Sequence, residues 1–177
     1  MADTPRNITD LLALLADNVG QDISPQDLRD FLVSVLGEYA QIYVHDGATA
    51  QSGITTTPVK MTGWATDGDD EGNLDADAAS DRINVDETMD VEVIFQCSFS
   101  GSANTTFEFH AYVSGEQTQG ACKRKLGAGG DVGSCSFTCL LKGLTNTDAI
   151  EVYVESDNGG GASMTPVHAQ LVVKRVR

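Results

Sequence analysis

The segment whose residue types and spacing come nearest to a binding site is the acidic stretch DGDDEGNLDADA at residues 67–78. Side chains with oxygen atoms stand at alternate positions, as calcium-binding loops require, and Gly72 stands at the place of the sharp turn. The candidate carboxylate ligands are Asp67, Asp69, Glu71 and Asp75, with Asn73 between them. The twelfth position, where a bidentate glutamate belongs, is Ala78, and no flanking helix is predicted. We therefore expect a solvated acidic loop, and these carboxylates are weak candidates for a metal site.

The histidines do not suggest catalysis. His45, His110 and His168 fall on three different predicted strands, with no acid or nucleophile at a telling spacing. His110 and His168 have outward parity, which predicts solvated or interface side chains. The sequence contains no Walker loop, GxSxG or HExxH motif, and its glycine runs GAGG and NGGGA do not fit the dinucleotide fingerprint. We expect neither an enzymatic activity nor a cofactor.

The cysteines are expected to be mainly buried thiols. Cys97, Cys135 and Cys139 have inward parity on their predicted strands. Cys135 and Cys139 lie too far apart along one strand to bridge each other. A disulfide from Cys97 to Cys135 or to Cys139 stays open as the less favoured alternative, because nothing in the sequence indicates an oxidising compartment.

The charge balance excludes some partners. The 177 residues carry 26 acidic and 11 basic side chains, a formal net charge of -15. Nucleic acids are bound through Lys and Arg, so this balance argues against a nucleic-acid partner. No run has the length of a transmembrane helix, and the N-terminal MADTPRNITD does not resemble a signal peptide. We expect no membrane insertion.

The segment from Asp90 to Gly115 is predicted to be the centre of the core. Two alternating apolar runs flank a short polar link, a pattern typical of a β-hairpin with a longer loop. The residues predicted to point inward are Val91, Val93, Phe95, Cys97, Phe99, Phe107, Phe109, Ala111 and Val113. Further strands are predicted in QIYVHDG, ITTTPVKMTGW, DRINVDETM, SCSFTCLLKGL, AIEVYVESD and PVHAQLVVKRVR. About eight strands at this spacing predict a mainly β fold, a sandwich or jelly roll.

Residues 1–40 differ from the rest of the chain. Two short amphipathic helices are predicted here, and the second begins with Ser24 as N-cap and Pro25 at the first helical position. Its apolar stripe consists of Leu28, Phe31, Leu32, Val35 and Leu36. Short helices must pack on each other, on the β-domain, on another copy or on another protein. We predict an N-terminal helical segment for attachment or assembly (1–40) and a β-sandwich domain (41–177).

Several segments resemble known jelly-roll proteins. TPVKMTGW, NLDADAASDRINVD, IFQCSFSGSANTTFEFHAYVSG, AIEVYVES and AQLVVKRV resemble the jelly-roll family of complement globular heads and tumour necrosis factor ligands. The resemblance is closer to the version of this domain found in bacteriophage virion proteins. ITDLLALLADNVGQDISPQDLRDFLVSVLG resembles a helical segment that often precedes such domains. The usual Gly-x-Tyr before the central strand is replaced by ETMDVEV.

The resemblance implies a homotrimer packed through one sheet of each subunit, with Tyr112, Tyr153 and Val172 as candidate interface residues. It also implies a virion structural protein, assembled in the host cytoplasm, that decorates or cements the capsid surface. Its partner would be the major capsid protein or another virion protein. The main alternative is a receptor-binding fibre tip, in which the loops 67–79, 123–130 and 157–163 recognise a host surface ligand. A complement-like binding module is a third, weaker alternative.

Overall fold

The computed structural model describes residues 37–45, 49–129 and 131–176, which form two antiparallel sheets packed face to face. The strands are β1 (Tyr39–His45), β2 (Gln51–Ile54), β3 (Val59–Lys60), β4 (Thr66–Glu71), β5 (Leu74–Asp77), β6 (Arg82–Val85), β7 (Met89–Gly101), β8 (Thr106–Val113), β9 (Glu116–Lys125), β10 (Val132–Leu144), β11 (Ala149–Ser156) and β12 (Ala162–Arg175). A single-turn 3-10 helix, Ala78–Ser80, precedes β6. The predicted mainly β sandwich is confirmed, and the predicted N-terminal helices lie outside the described residues.

The two sheets have six strands each. The first sheet has the order β10-β7-β12-β1-β4, and β2 pairs with β12 beside this path. The second sheet has the order β5-β6-β11-β8-β9, and β3 pairs with β11. Each sheet turns one face inward and one face outward, because side chains alternate along a strand.

The core lies between the inner faces and is built around four phenylalanines. Phe95 and Phe99 of the first sheet and Phe107 and Phe109 of the second are fully buried. The Phe95 and Phe109 ring centroids lie 5.4 Å apart, and Phe99 contacts both Phe107 and Phe109 across the sandwich. The inward parity predicted for the central segment is confirmed, with Val113 only half-buried.

The predicted central hairpin is wrong in its pairing. β7 hydrogen-bonds to β10 and β12, whereas β8 hydrogen-bonds to β9 and β11 in the other sheet. The link 102–105 therefore crosses from one sheet to the other. Alternation reports only that each strand buries one face, and two strands facing each other across a sandwich alternate in the same way as two paired strands.

Two polar segments form strands that the sequence pattern does not predict. The predicted acidic loop forms β4 and β5, and the segment after Gly115, for which no strand is predicted, forms β9 with the basic residues Lys123–Lys125 at its end. These are edge strands rich in polar residues, so they lack the apolar alternation that marks a strand. The predicted single strand ITTTPVKMTGW contributes to two strands, since β2 joins the first sheet and β3 the second.

The β-domain is closed at one corner by its first and last described strands. Glu38 is buried, and its carboxylate forms an ion pair with the Arg175 guanidinium. The backbone N–H of Arg175 also donates to the Glu38 carbonyl at 2.8 Å. The β structure therefore begins at Tyr39, inside the segment 1–40, and Glu38 already contacts the sandwich.

A disulfide joins the two sheets, so the expectation that Cys135 is a buried free thiol is wrong. Cys135 of β10 is bonded to Cys122 of β9, with their Cα atoms 6.0 Å apart, and Cys97 and Cys139 are buried free thiols. The alternatives from Cys97 to Cys135 or Cys139 are wrong, because the Cys135 sulfur is bonded to Cys122. Cys122 lies on β9, a strand that the sequence pattern does not predict. Gly120 lets β9 come close to β10, since a Cβ there would lie 2.6 Å from the Cys139 sulfur. Burial raises the pKa of the Cys97 thiol to about 12, so it is a poor nucleophile.

Candidate functional surfaces

The outer face of the first sheet is almost free of charge along its middle, and we call this surface the neutral face. Two rows of side chains cross it, in the order β10, β7, β12 and β1. They are Thr138–Ile94–Val172–Gln41 and Ser136–Gln96–Gln170–Tyr43. Neither row contains a charged side chain. Such a surface is suited to contact with another protein, because no ion must lose its water.

Hydrogen bonds between glutamines hold the neutral face in shape. The Gln96 side-chain amide donates to the Gln170 oxygen at 2.7 Å, and the Gln170 amide donates to the Gln41 oxygen at 2.9 Å. These amides satisfy one another across three strands, which flattens the surface around the half-buried Val172. Leu140 stands at the edge with 52% of its surface exposed.

A depression of about 870 Å³ lies at one end of the neutral face. The His45 and His168 rings pack edge to face there, with their centroids 4.5 Å apart. The Cys122–Cys135 disulfide and Lys123 line its other side. The predicted outward parity of His168 is confirmed by its exposure.

The outer face of the second sheet has the opposite character, and we call it the ionisable face. It consists of Lys60, Glu108, His110, Tyr112, Lys123, Glu151, Tyr153 and Glu155. Lys60 contacts Glu151 at 2.7 Å, and Lys123 contacts Glu108 at 2.6 Å. The Glu108 contact raises the pKa of Lys123.

Tyr112 and Tyr153 stack at the middle of the ionisable face, with ring centroids 3.9 Å apart. Burial raises the pKa of both phenols, and the carboxylate of Glu155 adds to the effect at Tyr112 as that of Glu151 does at Tyr153. Both hydroxyls therefore stay protonated at neutral pH.

His110 is outward-facing, as its parity predicts, but it is buried rather than solvated. Only 7% of its side chain is exposed. Its Nδ1 lies 3.0 Å from the Gln117 side-chain nitrogen. Its Nε2 has no hydrogen-bond partner and lies 3.6 Å from a Glu155 oxygen and 3.9 Å from a Glu108 oxygen.

Within the described ranges, Glu108, His110 and Glu155 are the one group of three or more potential ligand side chains whose donor atoms converge. Their ligand atoms all lie within 4.8 Å of one another. Sequence reasoning missed this group because Glu155 is on β11, and the pairing of β11 with β8 cannot be read from spacing. The only local signal is the pair Glu108 and His110, two positions apart on one face of a strand.

The weak calcium candidates do not converge. The Asp67 carboxylate accepts the Ala78 backbone N–H at 2.6 Å, whereas the Asp75 carboxylate accepts the Asn84 amide at 2.9 Å. Asp69 and Glu71 are exposed on β4. The acidic side chains hold β5 and β6 in place instead of forming a common site.

The candidate interface residues fall on two opposite surfaces. Val172 lies on the neutral face, whereas Tyr112 and Tyr153 lie on the ionisable face on the other side of the sandwich. Packing through one sheet cannot use all three. The helical candidates Leu28, Phe31, Leu32, Val35 and Leu36 lie outside the described residues.

The candidate recognition loops also separate. The segments 126–129 and 157–161 lie together with the link 102–105, since the Leu126 N–H donates to the Thr105 carbonyl and the Asp157 N–H donates to the Thr106 carbonyl. The turn at Gly72 and Asn73 lies at the other end of the sandwich, where the Asn73 N–H donates to the Glu38 carboxylate at 2.9 Å. No helix among the residues described is long and apolar enough to cross a membrane.

The fold is similar to that of several solved domains. Murine APRIL matches with a TM-score of 0.55 at 18% identity, covering 79% of this chain and 99% of that chain. The zebrafish complement 1qA globular domain matches with a TM-score of 0.53 at 12% identity, covering 78% of this chain and 96% of that chain. Eiger TNF from S. frugiperda matches with a TM-score of 0.52 at 14% identity, covering 80% of this chain and 93% of that chain.

These identities establish the fold alone, which is a C1q/TNF-like jelly roll. No protein-family model and no curated protein sequence matches the chain.

Proposed function

We propose that this protein is a structural protein of a bacteriophage virion, a homotrimer that decorates or cements the capsid surface. The neutral face is the observation that carries the trimer. Jelly rolls of this family usually associate through one sheet of each subunit, and of the two outer faces this one has two whole rows without a charged side chain, so covering it desolvates fewer ions. In this arrangement Val172 is an interface residue, whereas Tyr112 and Tyr153 stay outside.

The remaining features suit a protein displayed on a particle. With the neutral face covered, the ionisable face and the acidic β4 edge point outward, and the net charge of -15 keeps particles apart in solution. Residues 1–36 carry the stripe of Leu28, Phe31, Leu32, Val35 and Leu36, which we assign to attachment on the major capsid protein or another virion protein. In this proposal the protein is not an enzyme.

A receptor-binding fibre tip is the second candidate. It is favoured by the grouping of the segments 102–105, 126–129 and 157–161 at one end of the sandwich, where backbone hydrogen bonds join them. A host surface ligand would bind at that end.

Two measurements test the proposal. Light scattering on a sizing column should give three times the chain mass at micromolar concentration. Quantitative mass spectrometry of purified particles should find hundreds of copies per particle. A clean monomer would contradict the trimer, whereas a few to tens of copies would replace decoration by the fibre role.

The attachment role of the N-terminal segment is tested by deleting residues 1–36. The cut stops before Glu38, because its ion pair with Arg175 belongs to the sandwich. We expect the shortened chain to fold, by circular dichroism and thermal melting, and to fail to bind particles that lack the native protein. If the shortened chain folds and still covers such particles, attachment lies in the β-domain.

A further inference from the structure

The group formed by Glu108, His110 and Glu155 has an arrangement that ion pairing within the chain does not explain. His110 is more than nine-tenths buried, yet its Nε2 atom makes no hydrogen bond. A buried polar atom without a partner is costly, so its surroundings call for an explanation. The two nearest acceptors, at 3.6 and 3.9 Å, lie beyond hydrogen-bond distance.

We propose that Glu108, His110 and Glu155 form a binding site for a divalent transition-metal ion, for which Zn²⁺ is the best match. Imidazole nitrogens and carboxylate oxygens are both zinc ligands, and three protein ligands with water at the fourth position is the usual arrangement of an open zinc site. Ligand atoms about 2.0–2.2 Å from a tetrahedral zinc lie about 3.4 Å apart. The observed separations from Nε2 are a few tenths of an ångström longer, which the partly exposed glutamates can close by rotating.

The contacts around the site fit a bound metal. Lys123 contacts Oε2 of Glu108, whereas the oxygen that faces His110 is Oε1. The ammonium therefore orients the carboxylate and leaves the other oxygen for the ion. Gln117 lies against Nδ1, and a half-turn of its carboxamide would present an oxygen that accepts the Nδ1–H proton. Ligating histidines are usually oriented in this way by an acceptor on the second ring nitrogen.

The ligand types also indicate which ions would bind. Imidazole favours Zn²⁺ and its transition-metal neighbours, whereas Ca²⁺ prefers six to eight oxygen ligands. Two carboxylates with a neutral imidazole balance a divalent charge. The Glu108 and Glu155 side chains are 25% and 27% exposed, so water can reach a fourth position on the ion. Because the site lies on the opposite side from the neutral face, it does not depend on the proposed trimer.

The test is titration of the full-length, tag-free chain with Zn²⁺ by isothermal calorimetry. We expect one ion per chain. Glu155→Gln and Glu108→Gln should each weaken binding at least tenfold, since each removes one ligand and keeps the side chain's size. Glu116→Gln is the matched control: it also removes one negative charge near Tyr112, but no ligand, and it should bind within twofold of the original chain. Equal binding by Glu155→Gln and Glu116→Gln would overturn the proposal.

A second arm addresses the other place where imidazoles lie together. His168→Gln removes one member of the His45–His168 pair and should leave the zinc affinity unchanged. If His168→Gln abolishes binding while Glu155→Gln does not, the ion is at that pair and the proposed site is wrong. Residues 1–36 contain neither His nor Cys, so they do not complicate the comparison.

A third readout separates ligand loss from misfolding. Zinc should raise the melting temperature of the original chain and of His168→Gln, but not that of Glu155→Gln, because only an ion bound to the folded state stabilises it. All variants should have the same circular dichroism spectrum without metal. Excess Ca²⁺ should not displace zinc, and displacement at equal concentrations would point to the surface carboxylates instead of this site.

Discussion

The two outer faces of the sandwich are made by the same architecture and have opposite chemistry. Ile94 and Val172 lie side by side on the neutral face, with the amides of Gln96 and Gln170 on one side and the paired charges of Glu92 and Lys174 on the other. The corresponding centre of the ionisable face holds the Tyr112–Tyr153 stack, bordered by carboxylates and lysines. Both faces consist of long antiparallel strands, so the backbone does not cause the difference.

The difference shows that the two outer faces of a sandwich can have different chemistry while the two inner faces form one shared core. A face without ions loses little when another protein covers it, whereas a face with paired charges would lose their hydration. The inner faces have no such division, because both contribute phenylalanines to one cluster. Substitutions in the core, at the junction of the sheets and on one outer face should therefore have graded effects on the free energy of unfolding.

The largest effect is expected in the common core. Phe95→Ala and Phe109→Ala should each lower the free energy of unfolding by about 3–5 kcal/mol, the usual result of truncating a buried phenylalanine. Urea denaturation measures both. The matched changes on the outer faces, Glu92→Ala and Glu108→Ala, should each cost less than about 1 kcal/mol. Equal losses at the glutamates and the phenylalanines would mean that the inner and outer faces are assigned wrongly.

A smaller effect is expected where the two sheets are joined. Replacing both Cys122 and Cys135 by serine should cost about 2–3 kcal/mol, because the disulfide closes a loop with a sequence separation of 13. Thermal melting measures this variant beside the original chain with its disulfide reduced, and the two melting temperatures should agree. If reduction leaves the melting temperature of the original chain unchanged, the disulfide does not stabilise the junction.

The smallest effect on folding is expected from Val172→Lys on the neutral face. The side chain points outward, so the free energy of unfolding of the subunit should change by about 0.5 kcal/mol or less. The trimer should nevertheless dissociate, because three lysines would be buried without partners, and light scattering would report the monomer mass. Asn84→Lys, beside Asp75 on the second sheet, is the control and should stay trimeric. Loss of the trimer in both variants would remove the distinction between the two faces.

Alternation in the sequence predicts the burial of individual side chains better than it predicts which strands pair. Phe95 and Phe109 are buried as their parity requires, yet the strands that carry them belong to different sheets. Pairing depends on contacts between residues far apart in the chain, and a single sequence does not contain that information. β9 was missed for another reason: an edge strand with one solvated face needs few apolar residues.

For the candidate sites too, alternation predicts which face of a strand a residue lies on but not which strands lie beside it. Outward parity placed Val172 correctly on a surface, but parity alone could not show that Tyr112 and Tyr153 belong to the opposite one. His110 has outward parity and is nevertheless buried, because β9 brings Gln117 and β11 brings Tyr153 beside it. The cluster with Glu108 and Glu155 exists only once those strands are paired.

The contact between Glu38 and Arg175 places both ends of the described β-domain at one corner of the sandwich. Because these residues touch, chain that leaves residue 37 and chain that leaves residue 176 depart from the same corner. The segments 102–105, 126–129 and 157–161 lie beyond the far end of β7, roughly 40 Å away along the strand. Chain that continues from residue 37 or from residue 176 therefore starts at one end of the domain, and a peptide inserted between Gly159 and Gly160 would be presented at the other. The domain can therefore serve as a spacer that holds what it carries apart from what it displays.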